Sequence, residues 1–586
     1  MPEYLAPGVY VEETSFRAKS IEGVSTSTSA FVGPTRRGPV GVRSELITSL
    51  GEFERYYGSQ QVLALTGATT YAQRINHLAQ AVRNYFDNGG SRLYVVRTAN
   101  GAVAATRELV ANPGANKNIT ALARFPGEAG NGRLTMRVVV KPVTGTRALG
   151  ALPAGSMVQV TVGQTTTQYV KAPTGAWQDA TTPTPGTLAV TDATVAQLLT
   201  LTVEFTDADG ATQVFDELGF AAGHPRWAGT VLAADPANRA DALVNALGLQ
   251  FGSAVTPFEL RTAVLALAAV PNDPDGRRFT TLGSGSDGTA PVIGDATTAG
   301  TYTHALAQLV GVEDVSIVAA PGSSAYADAA AVALALITHA ESRRAYRIAV
   351  LDTPALQTPQ QVRDARAALD SRYAALYYPW VITANPMARP GRDDIPREIA
   401  LPPSGFVCGV YARNDSERGV HKAPANEVVR GALRFQADIN FAQQEALNPS
   451  GVNCLRLLPG RGLRVWGARL ISSDPEWKYV SDRRYFNYLE ASIDRGTQWA
   501  VFEPNGEALW ANVRQTISDF LLAEWRNGAM LGTTPEQAFF VRCDRSTMTQ
   551  NDLDNGRLIC LIGVAIVKPA EFVIFRIGQK TADARE

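Results

Sequence analysis

Short, unbroken apolar runs recur along this chain with helix-period segments between them. That alternation constrains the fold more than any other feature. AFVG at Ala30–Gly33 reads as a buried strand. It is followed by Ile75, Leu78, Ala79, Val82 and Phe86 at helical spacing, a stop at Asn88-Gly89-Gly90, and LYVVRT at Leu93–Thr98. A strand, a glycine-terminated helix and a second strand in that order are the pattern of a parallel α/β unit. The rhythm returns much later with EDVSIVAAPG (Glu313–Gly322), RIAVLDTP (Arg347–Pro354) and AALYYPWVI (Ala374–Ile382) as strands. Ala325–Arg343 and Gln360–Arg372 supply the helices between them.

The interval has another character. From about residue 100 to 255 the chain is rich in Thr, Val, Ala, Gly and Pro, with alternating stretches such as RLTMRVVVK (Arg133–Lys141) and SMVQVTVG (Ser156–Gly163). Period-two alternation between turn residues predicts short antiparallel strands, hence an all-β insertion over 101–255 that splits the α/β core into 26–100 and 256–450. A C-terminal α+β domain is expected over 451–570, carrying the amphipathic helix EALWANVRQTISDFLLAEWRNG (Glu507–Gly528). Residues 1–25 and 571–586 read as extended arms. In the first, Pro2 and Pro7 disfavour helix, and Val9 and Val11 alternate with Tyr10 and Glu12; the second opens with FVIF at Phe572–Phe575. The expected fold class is therefore multidomain, α/β and α+β: a parallel core, a β insertion and an inner C-terminal domain with an arm at each end.

At 586 residues, three or four domains are expected. The formal net charge of -1 argues against bulk electrostatic binding to nucleic acid or to an anionic membrane. The longest apolar runs, Ala329–Ile337 and Leu558–Val567, fall short of the ~20 residues that cross a bilayer. The first residues, MPEYLAPG, lack the basic-then-apolar pattern of a secretory signal. Cys408, Cys454, Cys543 and Cys560 show no C-x-x-C spacing, so buried reduced thiols are expected rather than a zinc or redox motif.

Parallel α/β domains commonly carry active sites, so the residues that could supply one matter. LGSGSDG at Leu282–Gly288 lacks the first glycine of a nucleophile elbow, where Ser284 stands, and the Lys-Ser/Thr of a phosphate loop. NDPDGRR at Asn272–Arg278 lacks the glutamate of a calcium loop. The histidines, His77, His224, His304, His339 and His421, form no H-x-x-x-H pair. An Asn118-Ile-Thr and an Asn414-Asp-Ser sequon have no secretory context. Asp352, at the end of RIAVLD, is the one tempting acid on the α/β core. No catalytic, cofactor-binding or metal-ligating set is expected.

Several segments do carry a resemblance. PGVYVEE and TSAFVGPTRRGP near the start, NPSGVNCLRLLPGRGLRVWGARL (Asn448–Leu470), and NDLDNGRLICLIGVAIVKPAEFVIFRIGQ (Asn551–Gln579) occur in the order seen in the contractile tail-sheath proteins of phages and related bacterial injection machines. LGSGSDG resembles a Gly-Gly-Ser-Asp-Gly-like segment of the same family, with Ser284 replacing one glycine.

The resemblance implies a structural, non-enzymatic subunit. It would polymerise as stacked hexameric rings around an inner tube protein and contract to drive that tube through an envelope. It also implies baseplate and tail-terminator or cap partners, no direct nucleic-acid binding and no membrane insertion. Assembly would occur in the bacterial cytoplasm, in a phage tail or an injection particle. Val9, Tyr10, Val11 and Phe572, Val573, Ile574, Phe575 would exchange strands between subunits. Arg514, Asp519, Glu524 and Arg526, on the charged face of the long helix, are the candidates for the tube contact, with a plain solvated face as the alternative. The competing readings are a hydrolase-like enzyme on the α/β core and a non-contractile tail or baseplate part.

Overall fold

Six parallel strands form the largest part of an eight-stranded sheet, in the spatial order Leu93–Thr98, Ser29–Pro34, Ile317–Ala319, Ile348–Asp352, Ala374–Tyr378 and Val452–Leu458. These observations come from a computed structural model that describes residues 20–110, 115–179 and 186–575. Gly462–Val465 folds back antiparallel on Val452–Leu458, and Glu427–Val428 follows at the edge. Every residue of Ser29–Pro34 and Leu93–Thr98 is buried, as their continuous apolar composition requires of strands covered on both faces. Val32, Val96, Val318, Ala349, Leu376 and Val452 pack with Leu306, Leu336 and Val362 from the helices that connect the strands, and with Leu309 in the turn after the first of them. The strand Val452–Leu458, expected at the start of the C-terminal domain, thus completes the parallel sheet instead.

Between the second and third strands in chain order, the chain builds antiparallel sheets. Arg133–Thr144 pairs along its whole length with Val195–Thr206, and the alternation of RLTMRVVVK puts Leu134 and Met136 in a core with Leu199, Leu201, Val203 and Phe205. Leu247–Phe251, Ile119–Ala123 and Thr106–Val110 form a three-stranded sheet against the same core. The antiparallel elements run on to Thr281, past the expected limit at residue 255. The helix Pro257–Ala266, started by a capping box between Thr256 and Glu259, buries Leu260, Ala263 and Val264 in that core. The Asn272–Arg277 turn then returns Arg278–Thr281 to the edge of Arg133–Thr144.

A buried ionic junction ties these sheets to the parallel core. It is centred on Arg36, two residues beyond the first strand. Its Nε and Nη2 fork Asp209 at 3.1 and 3.0 Å, while Nη1 reaches Glu128 at 2.8 Å and Asp287 at 3.4 Å. Burial opposes the charge, but the bonds and charge of Asp209, with Glu128 and Asp287, hold the guanidinium above its ordinary pKa. Arg37 pairs with Asp207 at 2.5 Å and donates to the carbonyls of Glu54 and Arg55.

LGSGSDG takes its role here. Asp287 accepts from the backbone N–H of Glu128 (2.8 Å) and of Ala64 (2.7 Å), and Gly285 exchanges two bonds with the Asn131 side chain. A side chain at Gly285 would collide with the Gly127 carbonyl at 2.6 Å. Ser284 has φ +65°, the left-handed conformation that glycine adopts without cost.

A second compact unit comprises the described residues up to Thr26, Arg418–Ala423 and the described residues from Tyr479 onward; Ser27–Glu417 and Pro424–Lys478 form the first. The helices Val480–Gly496 and Glu507–Arg526 supply its core, in which Tyr485, Leu489, Leu509, Trp510, Val513, Ile517, Phe520 and Leu521 are buried with Ile21 and Val420. No described helix is long and apolar enough to cross a membrane.

Candidate assembly interface

The catalytic candidates resolve first. Asp352 ends its strand with its carboxylate bound to the Ser404 N–H at 2.7 Å and the Ser404 hydroxyl at 2.5 Å, at the start of the helix Ser404–Arg418. Burial pushes its pKa up to about 7 against those two bonds. Both oxygens are thereby committed to starting a helix. His77 is buried edge-on to Trp380, with its pKa lowered to about 4 by burial, and His339 lies beside Arg347. Among the described residues no group of acidic, histidine or cysteine side chains could hold a metal ion.

The C-terminal unit presents a different kind of site. Phe539–Arg542 and Leu561–Val564 form an antiparallel sheet of two strands, and among the described residues neither edge carries a third strand. Phe540, Leu561 and Ile562 are exposed upon it. A two-stranded ribbon is marginal alone, and unpaired edges are templates for further strands. Helix Glu507–Arg526 supports one side, through Phe520 and Leu521 packed with Phe539 and Val541.

Both arms leave this unit from fastened roots. The described residues preceding the first parallel strand lie on helix Val480–Gly496. Ile21 is buried there, the Val24 N–H donates to Ser492 Oγ at 3.1 Å, and Arg484 Nη2 donates to the Thr26 carbonyl at 3.0 Å. Gly23 sits against the Tyr488 ring so closely that a Cβ would fall 2.2 Å from its hydroxyl. At the other end the Tyr479 hydroxyl donates to Glu571 at 2.9 Å. Immediately beyond, Phe572, Val573, Ile574 and Phe575 are 69%, 69%, 79% and 81% exposed and lie in no sheet. Four consecutive β-prone apolar side chains in water are the exception that calls for a partner surface. Val9, Tyr10 and Val11 lie outside the described residues.

The four candidate tube-contact residues of the long helix are placed differently from one another. Arg514, Asp519 and Arg526 are exposed, with Asp519 accepting from Gln515 one turn earlier at 2.7 Å. Glu524 turns back into its own unit and accepts from the hydroxyls of Tyr485 and Tyr488, both at 3.1 Å. Burial and that carboxylate raise both phenols above their ordinary pKa. Sequence periodicity put Glu524 on the charged face; the tyrosine pair that engages it, 36 and 39 residues away, left no local signal.

The phage tail sheath central-domain model matches residues 295–469, and the phage tail sheath C-terminal-domain model matches residues 472–580. These two stretches carry the central and C-terminal domains of the phage tail sheath family. It is 26% identical over 294 residues to a prophage major tail sheath protein of Pseudomonas aeruginosa, covering 49% of this chain and 71% of that protein. In fold it is similar to the helical sheath of the anti-feeding prophage in its contracted state, with TM-score 0.52 and 21% identity, over 98% of this chain and 100% of that one. It is similar too to the contracted sheath of an extracellular contractile injection system called PVC, with TM-score 0.51 and 20% identity, over 99% of each chain. All three relatives are structural sheath proteins.

Proposed function

We propose that this sheath protein is the structural subunit of a contractile tail. In this reading it polymerises as stacked hexameric rings around an inner tube and contracts to drive the tube through a target envelope. The observation that carries the proposal is the pairing of supply and demand in the C-terminal unit: a two-stranded sheet with open edges, and an exposed apolar segment rooted at Glu571. Phe572–Phe575 would add to the open sheet of a neighbouring copy, and Val9–Val11 would do the same from the other end. Each ladder bond contributes only ~0.5–1.5 kcal/mol net, so one arm binds weakly. Repetition around a ring and along a stack makes the mesh durable by avidity.

Fixed roots suit this task. The arm's origin moves with its own unit, while the exchanged strand stays with the neighbour. Contraction then requires two lattice arrangements of similar bodies rather than a bond-breaking step. If it buried an extra ~1,000 Å² per subunit, the gross apolar gain would be at most ~25 kcal/mol, and a small net gain summed over a stack suffices. The tube-facing contacts are assigned to Arg514, Asp519 and Arg526, with Glu524 held to the tyrosine pair; such exposed charges give weak, breakable contacts. Baseplate and cap proteins would complete the particle.

Negative-stain microscopy of the full chain beside a variant lacking residues 1–20 tests this. Long hollow cylinders that shorten or vanish on truncation are expected; discrete small oligomers in both samples would overturn the reading.

A further inference from the structure

Two of the four cysteines face each other. In the sheet Phe539–Arg542/Leu561–Val564, Arg542 is the register partner of Leu561, so one step beyond the ladder brings Cys543 opposite Cys560. Directly opposed residues of antiparallel strands have Cα atoms about 4.5–5.5 Å apart, inside the about 4.4–6.8 Å that a disulfide spans. Cys543 is buried and Cys560 is partly exposed in the same apolar cluster, both are free thiols, and the two share a side-chain hydrogen bond. Cys408 and Cys454 are buried in the other unit, so neither competes for this pairing.

We infer that Cys543 and Cys560 are a latent redox site, which closes into an intrachain disulfide when the folded protein meets a low-molecular-weight disulfide. The step balances. The more accessible Cys560, as thiolate, attacks one sulfur of the small disulfide; the mixed disulfide forms and one small thiolate leaves. Cys543 then loses its proton, attacks Cys560 Sγ and expels the second small thiolate. The protein is oxidised by two electrons, the small disulfide is reduced to two thiols, and the two cysteine protons end on those thiols.

Burial makes both thiols poor acids, with Cys560 pushed up to about 12 and Cys543 also raised. The pair is therefore slow to react at neutral pH, and its closure rate rises with pH because the thiolate is the nucleophile. Closing the loop from Asp544 to Ile559 would pin the marginal two-stranded ribbon. The consequence for assembly rests on the proposed function, in which that ribbon accepts a neighbour's strand; the redox chemistry itself does not.

The test is exposure of the full, folded, reduced chain to oxidised glutathione, followed by tryptic mapping without reduction. Cleavage after Arg542, Arg545 and Arg557 puts the two cysteines on separate peptides. We expect a Cys543–Cys560 cross-linked pair, loss of two hydrogens from the intact mass, and no modification of Cys408 or Cys454. Closure should quicken roughly tenfold per pH unit between 7 and 9. Amide exchange over Phe539–Leu561 should slow by about a hundredfold in the oxidised form, as expected for a loop near 15 residues. C543S and C560S each abolish the cross-link, and their circular dichroism verifies that they fold. Two thiols still free after prolonged exposure, or a stable glutathione adduct on either, would overturn the inference whether or not the protein assembles into cylinders.

Discussion

Replacing Arg36 with methionine removes the cation around which the ionic junction is built. Exposed ion pairs contribute about 0–1 kcal/mol, so the degree of burial decides the outcome. The side chains of Arg36, Asp209 and Asp287 are 7%, 4% and 3% exposed. The relevant case is then a buried carboxylate stripped of its partner, which costs ~3–5 kcal/mol. Two features pull toward the lower end. Asp287 keeps the Ala64 and Glu128 N–H donors, and Asp209 keeps the Ser59 hydroxyl at 3.1 Å. A loss of ~3 kcal/mol corresponds to roughly a hundredfold gain in local opening.

Native-state hydrogen exchange on the full chain reads that opening at Asp209 and Ala211, whose N–H groups donate to Asp207 Oδ1 at 3.0 and 2.8 Å. Asp209→Asn in the same background should cost much less than it does in the parent, because its partner is already gone. Exchange accelerated by less than about fivefold in R36M would refute the reasoning, because that is below ~1 kcal/mol. Strict additivity of the two substitutions would refute it as well.

The Asp352 carboxyl, held at about 7 against 3.8 for an unperturbed group, gives stability that is full below pH 3.8 and is lost as pH rises through 7. Asp352→Asn keeps one bond, its amide oxygen accepting from the Ser404 N–H, and reverses the other, its amide nitrogen donating to Ser404 Oγ, without the charge. Its melting temperature should therefore exceed the parent's above pH 7 and converge with it near pH 4, and parallel curves across that window would contradict the assignment. Ser284→Gly relieves a left-handed φ and should stabilise the LGSGSDG seam by about 0.5–1 kcal/mol in denaturant melts, where a loss would show that the serine hydroxyl matters more than the backbone. Phe572→Ser with Phe575→Ser leaves the described cores untouched; we expect unchanged melting but polymers several-fold shorter by electron microscopy, and polymers of parental length would argue against strand donation by this segment.

The parallel core was legible because its signal is local. Leu93–Thr98 matches the predicted strand, Ala30–Gly33 lies within Ser29–Pro34, and the periodic Ile75–Phe86 stretch forms the helix His77–Asp87. The long pair Arg133–Thr144 and Val195–Thr206 was announced by alternation in RLTMRVVVK. What escaped the sequence was contact between distant segments. Arg36 and Arg37 find their acids 92 to 251 residues away, and nothing near them marks Glu128, Asp207, Asp209 or Asp287 as partners. Arg278–Thr281 is short and polar, so its place in the antiparallel sheet is set by Arg133–Thr144 and not by its own pattern. Composition reads the FVIF segment as a strand, and it lies in no sheet among the described residues; the Tyr479–Glu571 bond that fixes its root left no local signal.

The most direct test of the account is a cryo-EM map of the assembled polymer, traced at the sheet Phe539–Arg542/Leu561–Val564. The account predicts a third strand in that sheet, formed by Phe572–Phe575 of a different copy. A sheet that stays two-stranded in the polymer, or is completed only by its own chain, would contradict it.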